Sequence, residues 1–149
     1  MICEEERVDL RIPDPKSAEE GRRLAQLAFR LNHTMPMTDE YQEILRELCG
    51  DNLGEGSFVT APILGVCFDR IKIGKNVIIN ANMLAMARGG ITIEDDVQIA
   101  ANVQLLTNNH DPPQKPGIGA RFLCHTIKNC HLQILRQETV CAGASTAVK

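Results

Sequence analysis

A chain of 149 residues is long enough for one domain with a sizeable core. Its formal net charge of −3 leaves no basic footprint for nucleic acid, and no apolar run approaches the ~20 residues of a membrane span. Trp is absent and aromatics make up 3% of the chain, which suits an interior filled by Ile, Val, Leu and Ala.

The N-terminal stretch MICEEERVDL lacks the basic and apolar regions of a signal peptide, so a cytoplasmic location with reduced thiols is expected. The cysteines stand at 3, 49, 67, 124, 130 and 141 and are read as scattered free thiols. Cys124, His125, Cys130 and His131 cluster late in the chain, but their spacing matches no standard zinc motif, and no metal is expected.

Residues 1–16 are charged and contain Pro13 and Pro15, which predicts a loop. A helix is predicted from Ser17, with Ser17 and Glu20 as a capping box and Leu24, Leu27, Ala28 and Leu31 as its apolar face. The pattern stops near Asn32, and Pro36 follows. A second helix is predicted over 38–49. Thr38 suits the N-cap, Asp39 and Glu40 suit the positive end of the dipole, and Gly50 suits the position just past the end. Tyr41, Ile44, Leu45 and Leu48 form its apolar face. The pair reads as a helical cap, residues 1–52, whose loops can overhang a binding site. His33, between the helices, reads as a turn residue.

After the Gly-rich linker DNLGEG the period becomes six. Ile73, Ile79 and Ala85 open three hexads, with Val77 and Met83 in the fifth place of the first two. Two residues are extra around Gly89 and Gly90, and the register resumes at Ile93, Ile99 and Leu105, with Val97 and Val103 in fifth place. Counting back in sixes assigns Cys67, Ala61 and Glu55 as openers and Ile71, Gly65 and Val59 as fifth places, so one register holds with a single two-residue slip. A period of six fits neither an amphipathic helix nor a simple strand. It fits a solenoid of short strands, three hexads to a coil, with openers pointing inward and stacking on one another. The coils are assigned to residues 53–111.

At Thr107 the hexads give way to TNNHDPPQKPGIGAR, an irregular loop leaving the coil. In residues 112–149, TIKNCHL looks like the opening of a coil one residue short of register, and Val140 and Ala144 fit opener and fifth place. LQILRQET between them makes poor hexads, so no full later coil is expected.

These hexads, the two short N-terminal helices and NNHDP after the third hexad of a coil resemble the galactoside/maltose O-acetyltransferases, members of the hexapeptide-repeat acyltransferases. The resemblance covers roughly residues 10–112. It implies a mainly β fold, a left-handed parallel β-helix with a small N-terminal α-helical cap, assembled as a homotrimer. It also implies acetyl-CoA as acyl donor, lying in a groove between subunits, and a sugar hydroxyl as acceptor.

By position, the resemblance makes His110 the catalytic base. An alcohol is a poor nucleophile at neutral pH, and a neutral imidazole near its ordinary pKa can take the hydroxyl proton during attack on the thioester. The oxyanion that forms needs a donor, which the sequence does not name. Asn80 matches an asparagine that binds the acceptor, and Asp14 corresponds to an N-terminal aspartate that reaches into the site. Arg88 stands where the galactoside enzymes carry an aspartate that contacts the acceptor, which opens the acceptor's identity.

The family continues after NNHDP with two or three coils of the form V-x-I-G-x-x-V-W-I-G, and this chain does not. Natural shortening, a frameshift after residue 112, or a tail that folds by pairing with another subunit would each account for that. Two other functions therefore stand beside the sugar acetyltransferase: a catalytically impaired β-helix scaffold lacking the full CoA groove, and a hexapeptide acyltransferase with a non-sugar acceptor. CoA binding discriminates the first, and an acceptor panel the second.

Overall fold

The computed structural model describes the backbone of residues 6–9, 12–110, 119–122, 125–127, 131–132 and 139–141, and the side chains of residues 12–108. The first helix, α1, spans Pro15–His33 and the second, α2, Asp39–Cys49. Leu24, Leu27, Ala28 and Leu31 on α1, and Tyr41, Ile44, Leu45 and Leu48 on α2, are all buried, the two faces read from the sequence. The Thr38 hydroxyl accepts from Tyr41 N–H at the start of α2, as expected. The start of α1 differs. Asp14, not Ser17, is the N-cap, its carboxylate accepting from Ser17 N–H at 3.1 Å with Pro15 in the first turn. Glu20 instead pairs with Arg23 at 2.7 Å.

Short parallel strands then wind into coils. They are β2 (Phe58–Val59), β3 (Ile63–Val66), β4 (Ile71–Ile73), β5 (Ile78–Ile79), β6 (Met83–Met86), β7 (Ile91–Ile93), β8 (Gln98–Ile99) and β9 (Gln104–Leu106). They form three sheets, β2–β5–β8, β3–β6–β9 and β4–β7, each a face of the solenoid. All ten inward positions assigned to residues 73–105 are buried: Ile73, Val77, Ile79, Met83, Ala85, Ile93, Val97, Ile99, Val103 and Leu105. The corners turn through left-handed residues that tolerate positive φ: Gly56, Asn76 and Asp96 stack at one corner, Asn82 and Asn102 at the next. The Asn76 amide donates to the Asp96 carboxylate at 3.1 Å, tying one coil to the next.

The coil length corrects the register read upstream of Ile73. Ile63 pairs with Met83, Ile71 with Ile91 and Ile79 with Ile99, so partners lie twenty residues apart. The two extra residues are not a single slip but recur in each of these coils, at the corner between the second and third faces. In the first coil that corner is a 3-10 turn, Phe68–Arg70, and in the second it is the turn through Arg88–Gly90. The first coil therefore opens its hexads at Leu53, Val59 and Gly65, which align with Ile73, Ile79 and Ala85. Glu55 is exposed, and Ala61 and Cys67 are only half-buried at corners.

The N-terminal loop also differs from expectation. Residues Glu6–Asp9 form a strand, β1, antiparallel to β11 (Gly119–Phe122), which also pairs with β10 (Asn108–His110). Three tail strands, β12 (His125–Ile127), β13 (His131–Leu132) and β14 (Thr139–Cys141), then add in parallel to β7, β8 and β9. These three short strands add one row to the three sheets, and the residues between them lie outside the described residues. Ile127 aligns with Ile93, Leu132 with Ile99 and Val140 with Leu105. Leu132 reaches the second opener's place one residue early, the shortfall visible in TIKNCHL.

Candidate functional site

The extra residues of each coil build the corner that carries the candidate site. A cleft of about 310 Å³ lies between the first turns of α1 and this corner. Ser17, Gly21 and Leu24 form the helix wall, and Cys67, Arg88 and Asn108 the solenoid wall. Arg88 and Asn108 belong to one column, twenty residues apart, and the Asn108 carboxamide accepts from Arg88 N–H at 3.1 Å. Arg70 braces the turn from outside, its guanidinium donating to the Arg88 carbonyl at 2.7 Å. Thr107, buried, donates to the Met86 carbonyl and accepts from Gly89 N–H, so its hydroxyl is satisfied on both sides.

Cys67 sits at the back of this corner with φ +58, a left-handed conformation uncommon for its residue type. Burial pushes its thiol up from the ordinary range; the guanidinium groups of Arg70 and Arg88 oppose that, and Asp69 adds to it. The thiol is free and held protonated at neutral pH, so it is a weak nucleophile there. Among the described residues no group of His, Cys, Asp and Glu could hold a metal ion.

The residues singled out from the sequence divide between two corners. Arg88 lines the cleft. His110 closes β10, two residues after Asn108, with its backbone paired to Ala120; its side chain lies outside the described residues. Asp14 caps the helix whose first turns form the cleft wall. Asn80 stands apart, exposed at the corner between β5 and β6, its amide donating to the Ile99 carbonyl at 2.9 Å. The four-residue strand β6 separates that corner from Arg88, roughly 13 Å at ~3.3 Å per residue. Cys67, Arg70 and Asn108 were missed. The signal that reveals them is the twenty-residue coil, which aligns Cys67 with Thr107 and Arg88 with Asn108.

The chain is thus a helix-capped solenoid of hexads, with a largely apolar cleft at one corner and a strand that ends in His110 leaving beside it. No family model matches the chain. Over 84 residues it is 32% identical to the galactoside O-acetyltransferase of Escherichia coli (strain K12), a match spanning 56% of this chain and 41% of that one. Among solved structures, it is similar to a hexapeptide-repeat-containing acetyltransferase of Vibrio cholerae O1 biovar eltor complexed with acetyl-CoA. That match has 27% identity and a TM-score of 0.64 and covers 68% of this chain and 54% of the other. A galactoside acetyltransferase in complex with coenzyme A gives 26% identity and a TM-score of 0.66, covering 75% and 56%. The chain thus spans about half the length of the relatives it matches. These relatives support the resemblance to the galactoside/maltose O-acetyltransferases carried by the hexads and NNHDP. No described helix is long and apolar enough to cross a membrane.

Proposed function

We propose that this chain is an acetyl-CoA-dependent O-acetyltransferase acting on a sugar hydroxyl, on a left-handed parallel β-helix. The observation that carries the reading is the exit of the chain at Thr107 into Asn108–His110, directly beside the Arg88 cleft, in a solenoid whose relatives are acetyltransferases. His110 is the base. Its imidazole takes the proton of the acceptor hydroxyl as the oxygen attacks the thioester carbonyl carbon. The tetrahedral oxyanion collapses, the C–S bond breaks, and the leaving CoA sulfur takes the proton from the imidazolium. The products are the O-acetyl ester and free CoA.

The acceptor is bound by Arg88, with Asn80 and Asp14 as further ligands. Because Asn80 lies at another corner, its part requires a second copy. The face of β3, β6 and β9 favours one: Leu64 and Val66 are 56% and 42% exposed on it, and Leu84, Met86 and Leu106 flank them half-buried. In a homotrimer packed on that face, the Asn80 edge of one copy meets the Arg88 edge of the next, with acetyl-CoA in the groove between. Sedimentation equilibrium tests the trimer.

Acetyl-CoA-dependent thiol release with a panel of sugars, on this chain and on His110→Ala, tests the activity. Turnover in the parent that is lost in the variant supports the reading. Folded protein with neither turnover nor CoA binding rejects it in favour of a β-helix scaffold.

A further inference from the structure

We propose that the Asn108 carboxamide donates a hydrogen bond to the oxyanion of acetyl transfer, which makes Asn108 a further catalytic residue. The inference deepens the acetyltransferase reading and rests on it. The step it serves is the attack on the thioester. The acceptor oxygen bonds to the carbonyl carbon as His110 takes its proton, and the C=O electron pair moves onto the carbonyl oxygen. Asn108 donates a hydrogen bond to that oxygen and gives up no proton. The pair then returns, the C–S bond breaks, and the CoA sulfur takes the proton from the imidazolium.

Three features carry it. First, the direction of the carboxamide is fixed. The Arg88 N–H can only donate, so the Asn108 oxygen must face it, as it does at 3.1 Å. The amino end is then the one left to donate, and among the described residues no group accepts from it. Second, the group is held in place before any ligand arrives. The preceding Thr107 donates to the Met86 carbonyl with both its N–H and its hydroxyl, at 3.0 and 2.8 Å. On the other side of the clamp, the Arg88 carbonyl accepts from Arg70 at 2.7 Å. A dipole fixed in this way needs no reorientation during the reaction, and such donors are the effective ones. Third, Asn108 lies where the cleft and the base meet. It is half-buried and lines the cleft with the apolar Leu24, Val66 and Met86, which lower the local dielectric and strengthen a hydrogen bond made there. It also opens β10, the strand that ends two residues later in His110, and positions two apart fall on one face of a strand. The other cleft donors fit less well. The Cys67 thiol donates weakly, and Ser17 belongs to the helix wall opposite.

The test uses the full chain, with acetyl-CoA as donor, galactose and maltose as acceptors, and a thermal melt of every variant. Asn108→Asp keeps an oxygen for the Arg88 N–H but has no amide hydrogens, and Asn108→Ala has neither. Thr107→Val loosens the same corner and leaves the carboxamide in place. Both Asn108 variants should lower kcat about 10²- to 10³-fold, with KM for donor and acceptor within about threefold of the parent. Thr107→Val should lose melting temperature yet keep far more of its kcat. A loss confined to Asn108→Ala makes the residue a clamp and overturns the proposal. A loss confined to Asn108→Asp is an effect of added charge and does the same. So does a loss in KM rather than kcat, or a Thr107→Val as slow as Asn108→Ala. The failures are separable. A parent that turns over, with Asn108 variants that match it, sinks this inference alone. A folded parent without turnover sinks the transferase reading and this inference together.

Discussion

The side chain of Asn32 pairs with the backbone of Ile63 as another strand would. Its amide donates to the Ile63 carbonyl at 2.8 Å, and its oxygen accepts from Ile63 N–H at 2.8 Å. Ile63 lies on the first coil, whose outer edge has no preceding coil to bond with. Unpaired strand edges are costly when covered and invite aggregation when open. Tyr41 does the same one corner away, its hydroxyl donating to the Val59 carbonyl at 2.7 Å and accepting from Ala61 N–H at 2.8 Å. The two helices thus seal the solenoid with two side chains as well as with apolar faces.

Asn32→Ala should cost about 2 kcal/mol, because two hydrogen bonds are lost and both Ile63 groups are left half-buried without partners. Asn32→Asp keeps the acceptor but turns a second oxygen against the Ile63 carbonyl, and should cost at least as much. Urea denaturation with an unchanged slope would check both; a midpoint equal to the parent's would show that water replaces the amide.

Tyr41→Phe isolates the second seal. The ring still stacks on Phe58, whose centroid is 5.8 Å away, so the change removes the hydroxyl alone. A loss of about 1–3 kcal/mol is expected from the unsatisfied Val59 carbonyl and Ala61 N–H.

Stability should fall in alkali. Burial pushes the Cys49 thiol up to about 11 from an ordinary value near 9. The unfolded thiol ionises first, so the stabilisation is complete below pH 9 and is lost as pH rises to about 11, at most about 2–3 kcal/mol. Tyr41, also pushed up by burial, adds a loss of the same sign that begins near its ordinary value of 10. Cys49→Ala should flatten the first part of that decline. Urea midpoints measured across this range in parent and variant give the answer.

Gly65 has φ +137, and a methyl group there would collide with the Ala85 carbonyl of the next coil. Gly65→Ala should therefore destabilise by at least about 3 kcal/mol, through backbone strain and the collision together. Gly21→Ala, where an added methyl meets nothing, should be neutral or slightly stabilising. Thermal melts of the two variants side by side test the contrast.

His110→Ala should lower turnover about 10²- to 10⁴-fold, the usual contribution of a general base, with acetyl-CoA affinity little changed. Parallel losses in turnover and CoA affinity would instead assign His110 to the CoA groove.

Much of this fold could be read along the chain because its signals are short in range. The faces of α1 and α2 rest on spacings of three and four residues, and Leu24 through Leu48 were all recognisable from them. The inward ladder from Ile73 to Leu105 rests on sixes. Asp14 before Pro15 is a start signal for α1 in the sequence, and the box offered by Ser17 and Glu20 competes with it. The coil length was harder, because the window from 73 to 110 contains one complete third corner. A feature seen once looks like a slip, and Cys67 is apolar enough to pass for an opener. Strand β1 was invisible, because its partner β11 is more than a hundred residues away and three of its four residues are charged.

By itself, then, the sequence determined which side chains face inward from Ile73 to Leu105, which helices cap the coils and where the chain leaves them at Thr107. Those properties follow from periodicities shorter than one coil. What only the tertiary structure decided is the composition of the cleft. Stacking in steps of twenty residues sets Arg88 on Asn108, and the two-residue excess at that corner opens a space that α1 roofs. The same geometry puts Asn80 a full face away. No local pattern encodes either result, because both depend on the cumulative turn of the coil rather than on any one stretch of it.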